Sequence, residues 1–170
     1  MSKSVLKGGI ARIAAVAVTA STLAMTMVTS ASASPQDSGD IVSWKNDATH
    51  ACLNWIDHRG NSRPEAGACF QANSTDFSQW RETSVDGQYW TFRPAGGDAA
   101  NMCLTSYNTT VYLENCQDGN WWQQWEEIRT DAGWKLKHRG DGWVRGYYLD
   151  TDGVRMYTEP ENNGKYQVWH

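Results

Sequence analysis

The chain has few aliphatic side chains beyond its first 33 residues, and this shortage determines what can fill its core. Leu, Ile and Val are scarce in residues 34–170, whereas all ten Trp of the sequence lie there. A domain of that length buries roughly two-thirds of its unfolded surface on folding. We therefore expect a core built largely of aromatic rings.

Basic charge is the second shortage. The 15 Lys and Arg are outnumbered by 19 Asp and Glu, and three of the basic residues lie in the first 33 positions, where no acidic residue occurs. The remainder has 12 basic and 19 acidic side chains and thus a net charge of −7. Such a surface argues against nucleic acids and anionic membranes as partners.

Helical periodicity is absent as well. No window of eleven or more residues after position 33 repeats its apolar side chains every 3.6 residues. Short segments instead alternate apolar and polar residues, as in Tyr89-Trp90-Thr91-Phe92 and Trp134-Lys135-Leu136-Lys137. Turn signals rich in Gly, Asn and Asp separate these segments. The sequence therefore predicts an all-β fold with almost no helix.

The first 33 residues have the features of a secretory signal peptide. Three basic residues in the first twelve positions precede an apolar stretch from Ile13 to Val28, and small residues at 31–33 form a cleavage site. The apolar stretch is interrupted by Thr and Ser and is too short for a comfortable membrane span. We expect cleavage before Ser34, secretion, and no membrane association of the mature protein.

A repeat runs through the rest of the chain. Trp80, Trp125 and Trp169 each end a similar tripeptide, at intervals of 45 and 44 residues. Three further columns keep the same order: Trp44, Trp90 and Trp134; Cys52, Cys103 and Tyr148, each followed by Leu; and Cys69, Cys116 and Glu159. A fixed period indicates a repeated structural unit, and we call the three units copies 1, 2 and 3 in chain order.

Each copy contains four short strand patterns, so three copies predict a closed body of twelve strands. The domain is expected to span residues 41–170, with its first strand at Ile41 and its two ends side by side. Residues 34–40 have the small and polar composition of a flexible arm. Closure would remove unpaired sheet edges, which keeps a secreted protein soluble.

These motifs resemble those of the ricin-B lectin family. Copy 2 shows the pattern best, with Cys103-Leu104, then residues 111–116 ending in Cys116, then Gln123-Gln124-Trp125. The resemblance covers residues 41–170 and implies a β-trefoil with pseudo-three-fold symmetry. It also implies that the repeat tryptophans are structural, because such large rings serve as buried anchors.

Four cysteines remain after the signal segment. An even number in an oxidising compartment indicates two disulfides, for which three pairings are possible. The ricin-B resemblance suggests the pairs Cys52–Cys69 and Cys103–Cys116, each worth about 3 kcal/mol by loop-closure entropy. Copy 3 has Tyr148 and Glu159 in these places and lacks a bridge.

Sugar binding in the family that the chain resembles depends on three places in a copy: an Asp after Cys-Leu, an aromatic residue two before the second Cys, and an Asn before the Gln of Gln-x-Trp. A carboxylate accepts hydroxyl hydrogens, and an aromatic ring stacks on the C–H face of a sugar. Copies 1 and 2 have other residues in these places, namely Asn54, Gly67 and Phe77, and Thr105, Glu114 and Trp122.

Copy 3 keeps the best candidates for a carbohydrate site. Asp150 follows the leucine, Tyr157 is taken as the stacking ring, and Gln167 begins the last tripeptide. Tyr166 occupies the Asn place, and Arg155 lies where a neutral polar residue is usual. The alternative is that Asp150 pairs with Arg155 or caps a turn.

Catalytic and metal chemistry find little support. The four histidines have no metal-ligand spacing, and the cysteines are expected to be oxidised, so no metal or other cofactor is predicted. Glu126 and Glu127 are strand neighbours that should face opposite sides and cannot act at one centre. We therefore expect a protein that is not an enzyme.

Two consecutive tryptophans, Trp121 and Trp122, stand in a loop position of copy 2. A loop cannot easily bury both rings, so one is expected to pack and the other to contact a partner. The sequence therefore leaves two functions open. One is a secreted carbohydrate-binding module for a galactose-like or cell-wall sugar. The other is an adaptor that binds a secreted protein, for example in a bacterial toxin particle, through the trefoil surface and the arm.

Overall fold

Eleven short strands form the framework of the computed structural model, which describes residues 39–56, 61–69, 77–140 and 147–170. The strands are β1 (Asp40–Val42), β2 (Cys52–Ile56), β3 (Arg63–Gly67), β4 (Trp80–Ser84), β5 (Tyr89–Pro94), β6 (Met102–Tyr107), β7 (Thr110–Asn115), β8 (Trp125–Thr130), β9 (Gly133–His138), β10 (Tyr147–Thr151) and β11 (Met156–Pro160). Two single-turn 3₁₀ helices lie at Trp121–Gln123 and Lys165–Gln167. Over the described ranges the fold is all-β, as the sequence predicted.

The strands follow one plan in each copy. The second and third strands form a hairpin (β2–β3, β6–β7 and β10–β11), and the fourth strand of a copy pairs with the first strand of the same copy and of the next. In copy 3 the fourth strand is reduced to Trp169, which bridges Trp134 and Asn46. In place of the predicted twelve strands, the described residues therefore form eleven strands, with the bridging residue Trp169 at the place of the twelfth.

Backbone hydrogen bonds between Lys45 and His170 complete this ring. The Lys45 amide donates to the carbonyl of His170, and the His170 amide donates back, both at 2.9 Å. The segment that follows β1 thereby lies beside the end of copy 3, so the two ends of the domain meet as the repeat boundaries predicted. A closed ring leaves fewer sheet edges available to other chains.

The three repeat tryptophans make the same contact in every copy. Trp80, Trp125 and Trp169 are completely buried. Their indole Nε1 atoms donate to the carbonyls of the leucine in the Cys-Leu or Tyr-Leu column, at 2.8, 2.9 and 3.2 Å. The same core also includes four buried leucines and Phe92, so it is less exclusively aromatic than the composition suggested. Leucine is scarce in the sequence, but these four leucines lie where they pack in the core.

Both disulfides suggested by the ricin-B resemblance are confirmed. Cys52 bonds Cys69 and Cys103 bonds Cys116, with Cα atoms 5.1 and 5.0 Å apart. Each joins the outer ends of a hairpin, β2–β3 or β6–β7. The hairpin of copy 3 has the buried ring of Tyr148 at the first cysteine place, with the Lys135 ammonium 5.5 Å from the ring centre.

The predicted arm is one residue too long. Asp40 belongs to β1 and pairs with Glu82, because the strand begins one residue before Ile41. The predicted signal peptide, 1–33, and the remainder of the arm, 34–38, lie outside the described residues. Of the helices that the structure describes, none has the length and apolar character to cross a membrane.

Candidate functional site

Strand register corrects one step of the repeat alignment. Cys103 lies opposite Glu114 in the β6–β7 hairpin, and Tyr148 lies opposite Glu159 in the β10–β11 hairpin. Glu159 is therefore the counterpart of Glu114, and Glu161 takes the place of Cys116. The alignment of Glu159 with the second cysteine was wrong by two residues, because copy 3 has no cysteine to fix the frame.

This correction changes the meaning of Tyr157. The place two before the second cysteine is Glu159, so copy 3 has no aromatic residue there. Tyr157 instead lies directly opposite Asp150 across the hairpin. Side chains of directly opposite residues project on the same face of a sheet, within contact distance. Register therefore brings Tyr157 to Asp150 by a different route from the one the family pattern suggested.

Asp150 and Tyr157 meet in an open cavity of about 420 Å³. Seven residues of copy 3 line it: Asp150, Thr151, Asp152, Tyr157, Glu159, Asn162 and Tyr166. The size is in the usual range of ligand pockets, roughly 300–1,000 Å³. The Tyr166 ring is 50% exposed and stands at the rim. The cavity thus combines two phenol rings with carboxylates and an amide.

Asp150 is a buried polar residue at the floor of this cavity, beside the buried Thr151. Burial raises the pKa of its carboxyl group, and hydrogen bonds from the Thr151 amide and from the side chains of Gln167, Asn162 and Tyr157 act in the opposite direction. The Thr151 amide donates to Oδ1 at 2.7 Å. These donors fix the orientation of the carboxyl group and favour its charged form.

Gln167 lies beneath the cavity rather than in its wall. It is completely buried. Its Oε1 accepts a hydrogen bond from the backbone amide of Asn162 at 3.0 Å, and its Nε2 donates to the carbonyl of Pro160 at 3.0 Å. Gln167 therefore positions the Asn162 loop and Asp150, and it cannot itself stack against or face a ligand. The amide group of the site is Asn162, which the sequence reasoning missed because it lies four residues before the expected Asn place.

Arg155 does not neutralise Asp150. Its Nε and Nη2 atoms donate to Asp152 Oδ2 at 2.9 and 2.7 Å across the exposed turn between β10 and β11. The backbone amide of Arg155 and then its side chain lower the pKa of Asp152 to about 2. The suggested Asp150–Arg155 pair is therefore wrong, because Asp152 is nearer along the turn. The Asp150 carboxyl group is not paired with Arg155 and lines the cavity.

Copy 2 closes the equivalent position with its own side chains. The Thr105 hydroxyl, at the Asp150 place, donates to the carbonyl of Cys103 at 3.0 Å. The Glu114 carboxylate accepts from Gln123 Nε2 at 2.9 Å and from Asn120 Nδ2 at 3.4 Å. The carboxylate of copy 2 is thus occupied by protein donors above a glutamine that is held in the same way as Gln167.

Copy 1 uses the Asp place for structure. Asn54 Nδ2 donates to the carbonyl of Ala68 at 3.0 Å. By register, that carbonyl is the counterpart of the Asn115 and Pro160 carbonyls that accept from Gln123 and Gln167. Copy 1 has Ser78 instead of the glutamine, so Asn54 supplies the missing amide. A Cβ atom at Gly67 would lie 2.4 Å from Asn54 Nδ2, which explains why a glycine stands there.

The two loop tryptophans have different environments. Trp122 packs edge-on against Tyr107 and stacks on His138, with ring centres 4.9 and 5.6 Å apart. Trp121 is 54% exposed, and the Arg139 guanidinium lies 4.7 Å from its ring. Arg139 is itself held 4.1 Å above the Tyr89 ring. Trp121 is thus an exposed ring with a fixed orientation.

A pair of carboxyl groups lies away from the copy 3 cavity, on two strands that join neighbouring copies. The carboxyl groups of Glu82 on β4 and Glu127 on β8 lie close enough to affect each other's pKa. Burial, and then the charge of Glu82, raise the pKa of Glu127 to about 7. Glu126 instead faces Lys137 and Gln88. Within the ranges that the structure describes, no three His, Cys, Asp or Glu side chains are grouped so as to hold a metal ion.

Known structures with the same fold are numerous, although sequence comparisons find nothing: no protein-family model matches the chain, and no curated protein is similar to it in sequence. The designed three-fold symmetric protein ThreeFoil superposes with a TM-score of 0.60 at 16% identity, over 76% of this chain and 96% of that one. SeviL, solved with asialo-GM1 saccharide bound, gives 0.56 at 14% identity, over 77% and 94%.

A mosquitocidal holotoxin gives a TM-score of 0.62 at 15% identity, over 78% of this chain. The chain spans only 17% of the length of that toxin. At these identities the likeness concerns the fold. It confirms the β-trefoil fold that the repeat motifs predicted.

Proposed function

We propose that this protein is a secreted carbohydrate-binding module without catalytic activity, which binds sugar in the copy 3 cavity. The observation that carries the proposal is the Asp150 carboxyl group, buried at the floor of an open cavity that two tyrosine rings and Asn162 also line. Sugar hydroxyls donate to a fixed carboxylate, and the C–H face of a sugar ring packs on an aromatic ring. Galactose-like and cell-wall sugars are the ligands proposed.

Three further observations support this function. The net charge of the predicted mature chain disfavours nucleic acids. The two disulfides suit an oxidising, extracellular compartment. SeviL, which has the same fold, is solved with a saccharide bound.

Binding of the wild type and of Asp150→Asn on a glycan array, followed by calorimetry with the best sugar, tests the proposal. Asparagine keeps the shape of the side chain but replaces one acceptor oxygen by a donor. Losing a charged hydrogen bond costs about 1.5–3 kcal/mol, so the dissociation constant should rise at least about tenfold.

Glu114→Gln is the matched control, because it changes the carboxylate of copy 2 in the same way. Its sugar affinity should equal that of the wild type. Equal binding by wild type and Asp150→Asn, with both folded by thermal melting, would remove the copy 3 cavity from consideration.

A second function is favoured by Trp121, whose exposed ring is oriented by Arg139. Exposed tryptophans mark protein-binding hot spots, so we propose as the alternative an adaptor of a secreted complex, such as a toxin particle. Pull-down from the native secreted fraction, with and without competing sugar, separates the two functions. Partners that resist sugar but are lost with Trp121→Ala, or on deletion of residues 34–38, support the adaptor. Partners that elute with sugar support the lectin.

A further inference from the structure

We infer that the sugar site is a groove with two subsites, which crosses from copy 3 to copy 2 and takes an oligosaccharide of at least two rings. This inference rests on the proposed carbohydrate-binding function. It concerns where the ligand extends beyond Asp150, and it follows from strand register and from two adjoining cavities.

Strand register places three side chains in one row. Asp150 on β10 lies opposite Tyr157 on β11, and Tyr157 lies opposite Thr110 on β7. Directly opposite residues of antiparallel strands project on the same face of the sheet. The row therefore leads from the buried carboxyl group, past the tyrosine ring, to a threonine that belongs to copy 2.

Two cavities lie along this row and share a wall. The cavity over Asp150 measures about 420 Å³, and a second one of about 450 Å³ is lined by Thr109, Thr110, Arg155, Met156, Tyr157 and Glu159. Tyr157 and Glu159 line both. Each volume alone is that of a ligand pocket, roughly 300–1,000 Å³. A ligand bound over Asp150 can therefore continue past Tyr157 into the second cavity.

The far wall of the groove is held in place by the backbone. The β6–β7 hairpin turns at Asn108 and Thr109, both with positive φ (47° and 68°), which gives a tight two-residue turn. The Thr158 amide on β11 donates to the Thr109 carbonyl at 3.0 Å. This tight turn of copy 2 thus places Thr109 and Thr110 beside the site of copy 3.

The second subsite offers different chemistry from the first. Asp150 presents an acceptor, whereas the second cavity presents threonine hydroxyls and the Arg155 guanidinium, which Asp152 orients. Ring and hydroxyl oxygens of a second sugar would accept hydrogen bonds there. This role also accounts for a charged residue at 155, where a neutral polar one is usual.

Calorimetry with matched mono- and oligosaccharides tests the groove. The probes are galactose against lactose, xylose against xylotriose, and N-acetylglucosamine against chitotriose. For the pair that binds, the longer sugar should bind about tenfold more tightly or better. Thr110→Arg, which fills the second cavity from an exposed strand end, should reduce the oligosaccharide affinity to that of the monosaccharide and leave the latter unchanged.

Ala132→Arg, in the exposed β8–β9 turn, adds the same side chain away from both cavities and should have no effect. Equal affinities for short and long sugars in the wild type would overturn the groove, and so would a Thr110→Arg variant with wild-type preference. If Asp150→Asn still abolishes monosaccharide binding in those cases, the proposed function stands without the second subsite. Absence of binding to any sugar on the array would overturn both.

Discussion

Copies 2 and 3 have the same backbone plan, but their carboxyl groups have different environments. In copy 2, the Glu114 carboxylate accepts hydrogen bonds from the side chains of Gln123 and Asn120. The Thr105 hydroxyl donates to a carbonyl of its own strand. In copy 3, Glu159 is exposed, and the buried carboxyl group is that of Asp150, which faces an open cavity. The difference teaches that the scaffold and the site are separable. The Gln and Trp of Gln-x-Trp stabilise both copies in the same way, whereas the side chains on the hairpin decide whether a cavity remains.

The largest expected effect tests whether the scaffold is equivalent in both copies. Trp125→Ala and Trp169→Ala should each lower the free energy of unfolding by about 3–5 kcal/mol, because each removes a completely buried ring and its hydrogen bond. Urea denaturation measures the loss. Trp121→Ala is the control, and at an exposed position it should change stability by no more than about 0.5 kcal/mol. A loss confined to one of the two buried positions would contradict the equivalence.

A smaller effect tests the exchange between glutamine and asparagine seen in copy 1. Gln167→Ser should cost about 1–3 kcal/mol, because it leaves the Pro160 carbonyl without its donor. Adding Asp150→Asn reproduces the Asn54 and Ser78 combination of copy 1 and should restore part of that loss. Denaturant melts of the two single variants and the double variant give the coupling energy. Additive losses would show that the amide of copy 1 is not transferable.

The smallest effect concerns copies 1 and 2, whose Glu82 and Glu127 each follow a repeat tryptophan by two residues. The pKa of Glu127 is raised from 4.5 to about 7, so its contribution to stability is complete below the ordinary glutamate pKa and is lost as pH rises through about 7. The melting temperature should therefore fall between pH 5 and pH 8, and fall less in Glu127→Gln. Glu126→Gln is the control and should keep the wild-type slope. Identical slopes in all three proteins would contradict the pairing.

The sequence was sufficient for the fold because the repeat signal comes from large residues at fixed intervals. Trp80, Trp125 and Trp169, with the Cys-Leu column, carry the resemblance to the ricin-B family, which implied the trefoil and the pairing of the two disulfides. The site was only partly predictable. Asp150 was predicted because it follows Leu149. Tyr157 was assigned to the wrong place in the repeat, because copy 3 has no second cysteine to mark the alignment. Asn162 and Thr110 were missed, because they reach the site through a loop and through a strand of another copy.

The amide of Asn54 has a consequence for whether copy 1 could acquire a carboxyl group at the place of Asp150. An Asn54→Asp substitution would set a carboxylate oxygen against the Ala68 carbonyl that Asn54 satisfies, and two acceptors repel each other. A site like that of copy 3 is therefore more than one substitution away, since Ser78 would have to become glutamine at the same time and Gly67 would still leave one wall open. Because the Asp place of copy 1 belongs to the framework, each single substitution towards such a site passes through a less stable protein.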